Sequence, residues 1–451
     1  MQGSGCGMTR PREVKTPTLV PFSAKPAGEP PPVRAWANPN VWTDPMLTAL
    51  DQGVRGGRWH ALIDKVYTQI NLFTAIRKVV ANQGTPGVDH VTVEQFDSRN
   101  REELARLHAQ LKDDTYRPQA VRRKWIDKPG SREKRPLGIP TVRDRVVQTA
   151  LRNVIEPIFD VTFSEHSYGF RPGRGCHQAL EHVERLLNAG AVYVVDADLK
   201  SYFDTINHQK LLERIREKVS DGRILKLIEM FLQQGILDGL ETWTPEQGSP
   251  QGAVISPLLA NIYLNPLDHL LAGAGYQMVR YADDFVILCG TREDAERALE
   301  VVRQWVVEND LTLHPAKTRI VDARTEIFDF LGYRFKGAVR LPRPKSSDKL
   351  KDTIRAKTKR TNGNSLPFII KQVSQTLDGW FIYFRHCNQA VFQDLDRWVR
   401  GRLRSILRKR SGRRGRGRGK DHQRWKNDFF EKQGLSNLKA AHVDFSQACF
   451  R

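Results

Sequence analysis

Two apolar runs that end in acidic residues form the clearest pattern along the chain. Residues 278–288 read Met-Val-Arg-Tyr-Ala-Asp-Asp-Phe-Val-Ile-Leu, so strand-forming residues flank two adjacent aspartates on both sides. This pattern predicts a β-hairpin with Asp283 and Asp284 at its tip. Residues 193–198 read Tyr-Val-Val-Asp-Ala-Asp and predict a second strand that ends in acids. If the two strands are neighbours in a sheet, their carboxylates meet at one edge.

Apolar residues spaced three or four apart predict helices in other parts of the chain. The segments with this spacing are residues 59–66, 174–190, 207–235, 258–264 and 392–410. The pair Asp221-Gly222 marks a break inside the third of them, because such pairs are typical of turns. In the last segment, basic side chains fill the positions between the apolar ones. Its apolar face is therefore predicted to be core and its arginines to be exposed.

Charge and composition narrow the class of partner. The chain has 451 residues, which is enough for two or three domains with a substantial core. Its 72 Lys and Arg against 51 Asp and Glu give a formal net charge of +21. This excess indicates nucleic acid, which binds basic proteins through counterion release, with a basic solvated surface as the simpler alternative. The five cysteines include no Cys-x-x-Cys pair, so we expect a reducing compartment and neither a disulfide framework nor a zinc knuckle.

Two segments differ in composition from the rest of the chain. The first 40 residues are rich in Pro and Gly and lack apolar periodicity, which predicts a flexible leader over residues 1–55. Residues 411–420 read Ser-Gly-Arg-Arg-Gly-Arg-Gly-Arg-Gly-Lys, a basic low-complexity tract that suits phosphate contact. No segment resembles a signal peptide or a membrane span, so we expect no membrane partner and a cytosolic location.

Adjacent aspartates in apolar surroundings indicate a bound cation. Like charges repel strongly there unless a cation lies between them, and hard divalent cations prefer carboxylate oxygen. Together with Asp198, the pair Asp283 and Asp284 predicts a cage for two metal ions about 4 Å apart, as nucleotidyl transfer requires. Two unrelated strands with acidic ends are the alternative. Asp196 alternates with Asp198 and shares its face, so spacing alone leaves both open as the ligand.

The order of three motifs resembles the palm of a reverse transcriptase. The acidic strand end is followed by Gly-Ser-Pro-Gln-Gly at residues 248–252 and then by Tyr-Ala-Asp-Asp at residues 281–284. Other segments resemble group II intron reverse transcriptases, also called maturases. Residues 82–89 (Asn-Gln-Gly-Thr-Pro-Gly-Val-Asp) resemble their N-terminal extension, and residues 135–140 (Arg-Pro-Leu-Gly-Ile-Pro) and 167–174 (Ser-Tyr-Gly-Phe-Arg-Pro-Gly-Arg) resemble two finger motifs. Residues 330–335 (Phe-Leu-Gly-Tyr-Arg-Phe) resemble the turn that grips the primer end, and residues 377–384 (Leu-Asp-Gly-Trp-Phe-Ile-Tyr-Phe) resemble the start of the thumb.

The resemblance covers roughly residues 60 to 440 and implies an α+β fold. It implies a right-hand polymerase whose fingers and palm, with an antiparallel sheet, occupy residues 56–345 and include an N-terminal extension near 60–100. A helical thumb, or maturase domain X, is expected over residues 346–440, followed by a tail at 441–451. The paired cysteines of a C-terminal His-Asn-His nuclease do not follow, so we expect the chain to lack that domain.

The resemblance also implies a set of metal ligands. They are Asp198, Asp283 and Asp284, with the backbone carbonyl of Leu199 as a further ligand. The family pattern Asp-(four residues)-Phe-Asp begins at Asp198 and favours it over Asp196. The cofactor implied is Mg²⁺, two ions per active site, with Mn²⁺ as a substitute. One ion would activate the primer 3′-hydroxyl, and the other would neutralise charge on the leaving pyrophosphate.

Residues for the incoming nucleotide follow from the same resemblance. Phe203 is expected to block a ribose 2′-hydroxyl and so select deoxynucleotides, with an ordinary core phenylalanine as the alternative. Gln251 is expected to support the nucleotide and the template base. Lys128 and Arg135 flank a turn and resemble the triphosphate-binding residues of a finger hairpin, with solvated surface charges as the alternative.

Two further roles fall to basic residues. Lys317 is expected to act as general acid to pyrophosphate, with a surface lysine at a helix end as the alternative. Arginines of the thumb and of the basic tract are expected to contact RNA phosphates. They are Arg400, Arg404, Arg408, Arg413, Arg414, Arg416 and Arg418.

Three functions are compatible with these features. The first is an RNA-directed DNA polymerase encoded by a group II intron, which binds intron RNA to assist splicing and copies it into cDNA for retrohoming. Its partners would be intron RNA, an RNA template with a DNA primer, a DNA target site and deoxynucleoside triphosphates, in the bacterial cytosol near the nucleoid. The second is a domesticated or defence-associated enzyme of similar fold. The third is a non-catalytic RNA-binding splicing factor, against which the intact Asp198, Gln251, Asp283 and Asp284 argue.

Overall fold

A computed structural model of the chain describes residues 33–127, 134–239, 241–249, 251–417 and 419–449. Its helices are α1 (Val33–Trp36), α2 (Asp44–Gln52), α3 (Ile63–Tyr67), α4 (Gln69–Asn82), α5 (Val93–Ser98), α6 (Asn100–Lys112), α7 (Val142–Asp160), α8 (Cys176–Asn188), α9 (Tyr202–Thr205), α10 (His208–Arg216), α11 (Gly222–Leu232), α12 (Ser256–Gly273), α13 (Arg292–Glu308), α14 (Pro344–Lys357), α15 (Leu366–Phe384), α16 (Gln389–Arg410), α17 (Lys420–Arg424), α18 (Asn427–Lys432) and α19 (Leu438–Cys449). Its strands are β1 (Val121–Asp127), β2 (Lys134–Ile139), β3 (Tyr193–Asp198), β4 (Ile236–Asp238), β5 (Glu241–Trp243), β6 (Gln277–Tyr281), β7 (Asp284–Cys289), β8 (Arg319–Asp322), β9 (Ile327–Phe330), β10 (Tyr333–Lys336) and β11 (Val339–Pro342).

An antiparallel sheet with the strand order β6-β7-β3-β8 positions the acidic residues. β7 pairs with β6 on one side and with β3 on the other, so the two acidic runs of the sequence lie on neighbouring strands. β3 also pairs with β8 along its other edge. The predicted hairpin and the predicted adjacency of the two strands are both present.

Both faces of this sheet are covered, which explains its nearly continuous apolar runs. Val195 and Phe285 pack in an apolar cluster with α4, α7 and α10 to α13. Val194 and Val286 pack on the opposite face with α8, β9, β10 and α14 to α16. Because side chains alternate between the faces of a strand, Asp198 lies on the same face as Val194, toward the C-terminal helices.

Two further sheets complete the strand structure of the described residues. β1 and β2 form an antiparallel hairpin in a sheet of order β2-β1-β4-β5, as expected for the fingers, and the tip of this hairpin lies outside the described residues. β9, β10 and β11 form a third antiparallel sheet, with a tight turn at Leu331-Gly332 between the first two strands. This turn falls in the segment that was expected to grip the primer end.

After β11, the regular elements in the described residues are all helices. Helix α16 contains the predicted helical segment 392–410, and its apolar residues pack with those of α14 and α15. The α+β class, with a central antiparallel sheet and a helical C-terminal part, is therefore confirmed. Across the residues that the structure describes, no helix has both the length and the apolar character to cross a membrane.

Most of the other predicted helices are present, with one difference near residue 59. The segment 207–235 forms α10 and α11, and Asp221 caps α11 by accepting hydrogen bonds from the Arg223 and Ile224 amides. The predicted helix at 59–66 begins only at Ile63. The reason is that the backbone of Trp59 pairs with the segment after α10, donating to the Lys218 carbonyl at 2.7 Å and accepting from the Ser220 amide at 2.9 Å.

The prediction of a flexible leader through residue 55 is wrong in its last part. Helix α2 lies within that range. Trp42 is only 1% exposed, and its indole Nε1 donates to the Asn153 carbonyl of α7 at 3.1 Å. A single large aromatic side chain therefore docks this segment on the body, and a composition rich in Pro and Gly concealed that contact. Residues 1–32 of the predicted leader lie outside the described residues.

Candidate catalytic centre and nucleic-acid surface

Strand register brings the predicted carboxylates together. In the β3–β7 ladder Asp198 lies directly opposite Asp284. In the β6–β7 ladder Tyr281 lies opposite Asp284, so Ala282 and Asp283 form the turn of the hairpin. Ala282 has a φ of +59°, a left-handed conformation that few residues other than glycine adopt without support. The structure thus gathers Asp198, Asp283 and Asp284 at one sheet edge.

The carboxylates at this edge repel one another. Burial, together with the negative charges of Asp196, Asp283 and Asp198, raises the pKa of Asp284 to about 7. Burial and the charge of Asp198 also raise the pKa of Asp283, while Arg135 and Lys317 act in the opposite direction. Protons or a cation must therefore neutralise this group of acids near neutral pH.

Asp198 is held by the segment that follows α13. Its backbone carbonyl accepts a hydrogen bond from the His314 amide at 2.8 Å. Its side chain forms an ion pair with Lys317, whose Nζ lies 2.5 Å from Oδ2. Leu199 is buried and forms an isolated antiparallel bridge with Leu313. Lys317 therefore lies beside the candidate catalytic acids rather than on a remote surface.

Asp196, which spacing alone could not distinguish from Asp198, lies one step further from the hairpin tip. It pairs with Val286 across the ladder and lies on the same face as Asp198. Its carboxylate is 3.6 Å from the Arg319 guanidinium. Burial nevertheless raises the pKa of Asp196 to about 6. The register thus favours Asp198 as the partner of the hairpin aspartates, with Asp196 as a fourth acid beside them.

The donor chemistry at this edge fits a hard divalent cation. The three candidate side chains are all carboxylates, and the pKa values of Asp283 and Asp284 are raised by burial and by a mutual repulsion that a cation would relieve. As the described residues stand, no three His, Cys, Asp or Glu side chains are close enough together to coordinate a metal. Instead, the Lys317 ammonium supplies positive charge to Asp198.

A fully buried guanidinium donates a hydrogen bond to the hairpin turn and so supports it. Arg280 of β6 is 0% exposed and forms a two-pronged ion pair with Asp268 of α12, at 2.5 and 2.7 Å. Its remaining terminal nitrogen donates to the Ala282 carbonyl and to the Asn261 side chain, each at 2.9 Å. This network fixes the left-handed residue of the turn. Sequence reasoning missed it, although an aspartate within the apolar run of α12 was a signal.

Gly169, from the Ser-Tyr-Gly-Phe motif, lies against the same turn. Its carbonyl accepts a hydrogen bond from the Asn261 side chain at 2.8 Å. A Cβ atom at this position would collide with the Ala282 amide and would lie 2.9 Å from the Tyr281 carbonyl carbon. The residue must therefore be glycine for the catalytic hairpin to keep its position. The motif had been assigned to the fingers, whereas this part of it packs on β6.

The turn between β9 and β10 is hydrogen-bonded to helix α15. The Tyr383 hydroxyl of α15 donates to the Leu331 carbonyl at 2.7 Å. The Tyr383 carbonyl in turn accepts hydrogen bonds from the Tyr333 hydroxyl and from His177 Nε2 of α8. Leu331 and Gly332 both have positive φ values, 48° and 79°, so the turn needs this external support. Tyr383 lies within the segment 377–384, but its support of this turn was not predicted from the sequence.

The loop that carries Gln251 is fastened to the finger hairpin. The Gln251 carbonyl accepts a hydrogen bond from the Gly138 amide of β2 at 2.7 Å. At Gly252, where φ is +111°, a Cβ atom would lie 2.6 Å from the Gly138 carbonyl oxygen. The buried Gln148 of α7 accepts from the Val254 amide at 2.7 Å and completes the fixation. Gln148 was not identified from the sequence.

The other predicted nucleotide-binding residues differ in exposure, and one of them lies outside the described residues. Phe203 is half-buried, and its ring centroid is 5.5 Å from that of Tyr202. Arg135 is exposed on β2, and its charge lowers the pKa of Asp283, which indicates that it faces the hairpin tip. Lys128 lies outside the described residues.

The predicted RNA-binding arginines do not all face solvent, and Arg404 is buried, contrary to the prediction. It is only 3% exposed, and its guanidinium donates to the Trp425 carbonyl at 3.0 Å and to Asn427 at 2.8 Å. Arg404 therefore anchors the residues after the basic tract to α16, because a buried guanidinium needs such partners. Arg408 is likewise engaged with the buried Asp421, at 2.5 Å.

The remaining arginines of this group are more accessible. Arg413, Arg414 and Arg416 are exposed, and Arg400 is half-buried. Arg418 lies outside the described residues. The exposed members are thus concentrated in the tract after α16 rather than along the helix itself.

Comparison with known protein families gives two matches, which cover successive segments of the chain. Residues 126–335 match the family described as reverse transcriptase (RNA-dependent DNA polymerase). Residues 347–425 match the group II intron, maturase-specific domain. The boundary between the matches falls at the start of α14.

Three curated proteins illustrate the similarity. Group II intron-encoded protein LtrA of Lactococcus lactis subsp. cremoris is 39% identical over 216 residues, which are 46% of this chain and 35% of LtrA. Protein YkfC of Escherichia coli is 35% identical over 305 residues, 58% of this chain and 79% of YkfC. The putative COX1/OXI3 intron 1 protein of Saccharomyces cerevisiae is 26% identical over 398 residues, 74% of this chain and 47% of that protein. The match thus spans about a third of the length of LtrA.

The contact between Gly169 and the catalytic turn predicts a sharp loss of activity on substitution. Gly169→Ala should push the Ala282 backbone outward and lower the rate of DNA synthesis on an RNA template about 100-fold, since a shift of about 1 Å can have that effect. The measurement is initial primer-extension rate at saturating nucleotide, with melting temperature as a check on folding. Gly175→Ala is the matched control, because no atom lies within 4 Å of a Cβ there. Equal rates for the two variants would contradict the assignment.

Proposed function

Because this chain belongs to the family of group II intron reverse transcriptases and maturases, we propose that it is an RNA-directed DNA polymerase of such an intron. In this proposal it binds the intron RNA, assists its splicing and copies it into cDNA for retrohoming into a DNA target site. Its substrates are an RNA template with a DNA primer and deoxynucleoside triphosphates.

One observation carries the polymerase proposal. Asp198 and Asp284 lie opposite each other in the β3–β7 ladder, and Asp283 forms the turn beside them. Three carboxylates from two distant segments of the sequence thus converge at one sheet edge, beside a turn fixed by Arg280. A splicing factor without catalysis gains nothing from this costly arrangement of like charges. The geometry therefore supports an enzyme over a purely binding protein.

We assign the metal-binding role to these carboxylates. Asp198, Asp283 and Asp284 would hold Mg²⁺, or Mn²⁺ in its place, with the Leu199 carbonyl as an additional ligand. Bound there, two such ions would supply activation of the primer 3′-hydroxyl and neutralisation of charge on the leaving pyrophosphate. The turn at Leu331-Gly332, held by Tyr383, would position the primer end.

The incoming nucleotide is assigned to the space between the finger hairpin and the palm. Arg135, whose charge already acts on Asp283, would bind the triphosphate together with Lys128. Gln251, fixed to β2 through its carbonyl, would support the template base and the nucleotide. Phe203 would lie against the sugar and exclude a 2′-hydroxyl. Lys317, 2.5 Å from Asp198, would donate a proton to pyrophosphate as it leaves.

Intron RNA is assigned to the thumb and the basic tract. Arg400 and the exposed Arg413, Arg414 and Arg416 would contact phosphates, with Arg418 beside them in sequence. Arg404 is no longer part of this proposal, because its guanidinium is buried. The net charge of +21 supports a polyanionic partner of this kind.

Removal of the hairpin carboxylates should separate catalysis from RNA binding. The double variant Asp283→Ala, Asp284→Ala should lower cDNA synthesis by about three orders of magnitude, since metal-ion catalysis contributes several kcal/mol. Its affinity for intron RNA should stay close to that of the wild type, as measured by filter binding at fixed salt. Asp322→Ala, at the opposite end of β3's pairing with β8, is the control. If RNA affinity falls as far as activity does, the RNA surface has been assigned to the wrong face.

Truncation of Phe203 should relax sugar selection. Phe203→Val removes most of the ring that would meet a 2′-hydroxyl, so discrimination against ribonucleotides should fall about tenfold or more. Competition between matched deoxy- and ribonucleoside triphosphates in primer extension measures this ratio. Tyr202→Phe, which keeps the neighbouring ring, should leave the ratio unchanged. An unchanged ratio in Phe203→Val would reduce Phe203 to a packing residue.

Lys317 offers a test of proton donation. Lys317→Gln should lower kcat about 100-fold with little change in the KM for nucleotide, because general acid catalysis acts on the chemical step. Lys317→Arg keeps the charge near Asp198 but is a poor proton donor, so it should restore only a small part of the rate. Full activity in the arginine variant would mean that Lys317 only neutralises Asp198. Lys336→Gln, on an exposed lysine of β10, is the control.

A further inference from the structure

A cavity in the thumb lies apart from the catalytic centre. It has a volume of about 260 Å³ and is formed by the end of α14, the loop that follows it and the first turns of α15. The residues that line it are Lys357, Asn362, Asn364, Phe368, Ile369 and Gln372. We call it the loop pocket. Its lining combines an aromatic ring, side-chain amides and a lysine.

Phe368 gives the loop pocket an accessible aromatic surface. Its side chain is 49% exposed, whereas the next two residues, Ile369 and Ile370, are buried in the thumb core. An exposed ring at the mouth of a polar cavity is a surface on which a nucleobase can stack, since every base has a π-face.

The polar wall of the loop pocket is structurally defined. The Asn362 side chain donates to the Lys357 carbonyl at 2.8 Å and accepts from the Asn364 amide at 3.0 Å, which fixes the loop. Arg410 at the end of α16 donates to the carbonyls of Asn362 and Asn364. Asn364 and Gln372 bring further amide groups to the lining. Amides offer both donors and acceptors, as the edge of a base requires.

Positive charge surrounds the loop pocket. Lys359, Arg360, Lys371 and Arg410 are exposed there, and within the described part of the chain none of them forms an ion pair. The nearby Arg402 has a pKa lowered by burial and then by the positive charges of Arg355 and Arg360. Arginines that repel one another in this way favour a polyanion at their common surface.

We propose that the loop pocket binds one unpaired base of an RNA strand, stacked on Phe368 and held by contacts between the surrounding basic residues and the adjacent phosphates. The inference rests on the proposed function, because that function supplies an RNA partner with single-stranded loops. A base-paired strand does not fit, since its bases are already stacked and only its backbone and groove are accessible. The predicted RNA-binding arginines all lie on or after α16, so this site adds a second contact region on the thumb.

The test compares single-stranded and double-stranded RNA. The full-length protein is first saturated with a primer–template duplex, so that the polymerase cleft is occupied. A short single-stranded RNA oligonucleotide or an RNA duplex of equal length is then titrated by fluorescence anisotropy. Phe368→Ala should weaken binding of the single strand about tenfold, the loss typical of one stacked base, and should leave the duplex affinity unchanged. Phe368→Trp should retain the affinity, and its indole emission should be quenched by the single strand.

Phe73→Ala is the matched control, because Phe73 of α4 is 50% exposed and lies far from the loop pocket in sequence. Equal losses in the two variants, or equal losses for single and double strands, would overturn the proposal. A protein partner in place of RNA would appear as unchanged RNA affinity in Phe368→Ala, which also overturns it. Primer extension by the wild type distinguishes failure of the loop-pocket proposal from failure of the proposed function. If the wild type copies RNA but Phe368→Ala binds the single strand normally, only the loop-pocket proposal is overturned. If the wild type neither copies nor binds RNA, the proposed function fails first.

Discussion

The hairpin that carries the candidate catalytic acids depends on one ion pair that has no access to water. Arg280 and Asp268 join β6 to α12, and the same guanidinium holds the Ala282 carbonyl and the Asn261 side chain. Burying two charges is costly, and removing one partner of such a pair leaves an uncompensated charge, at about 3–5 kcal/mol. Loss of either partner would therefore release the turn from its position. A turn in the left-handed region, with acids beside it, would otherwise relax toward a more extended and better solvated conformation.

This rigid support explains how the protein tolerates mutually repelling acids. Burial and neighbouring charges raise the pKa of Asp284 to about 7, which shows how unfavourable the ionised form is there. The free energy that the hairpin would gain by separating its carboxylates is opposed by the packing of both sheet faces and by the Arg280 network. At the rim, Lys317 and Arg319 compensate part of the charge. The centre is thus negative inside a chain whose surface is strongly positive, so nucleic acid is attracted broadly and cations are attracted locally.

The sequence was sufficient for the hairpin, the adjacent acidic strand and most long helices, because period-2 and period-3.6 patterns report which face of an element is buried. It could not choose between Asp196 and Asp198 by spacing, since both lie on one face, and strand register was needed. It misassigned Arg404, because a basic residue between apolar ones looks exposed until a distant segment supplies the carbonyl it binds. It also missed the contact of Gly169 with the turn. Such contacts depend on three-dimensional neighbours that no local pattern encodes.

The hydrogen bonds of Tyr383 have a mechanical consequence. Tyr383 of α15 is hydrogen-bonded through its hydroxyl to the turn before β10 and through its carbonyl to Tyr333 and to His177 of α8. A tilt of α15 therefore cannot occur without displacing that turn or breaking these bonds. If RNA docks on the helical part of the chain and this turn holds the primer end, as proposed, then a reorientation of α15 by RNA would also displace the primer end.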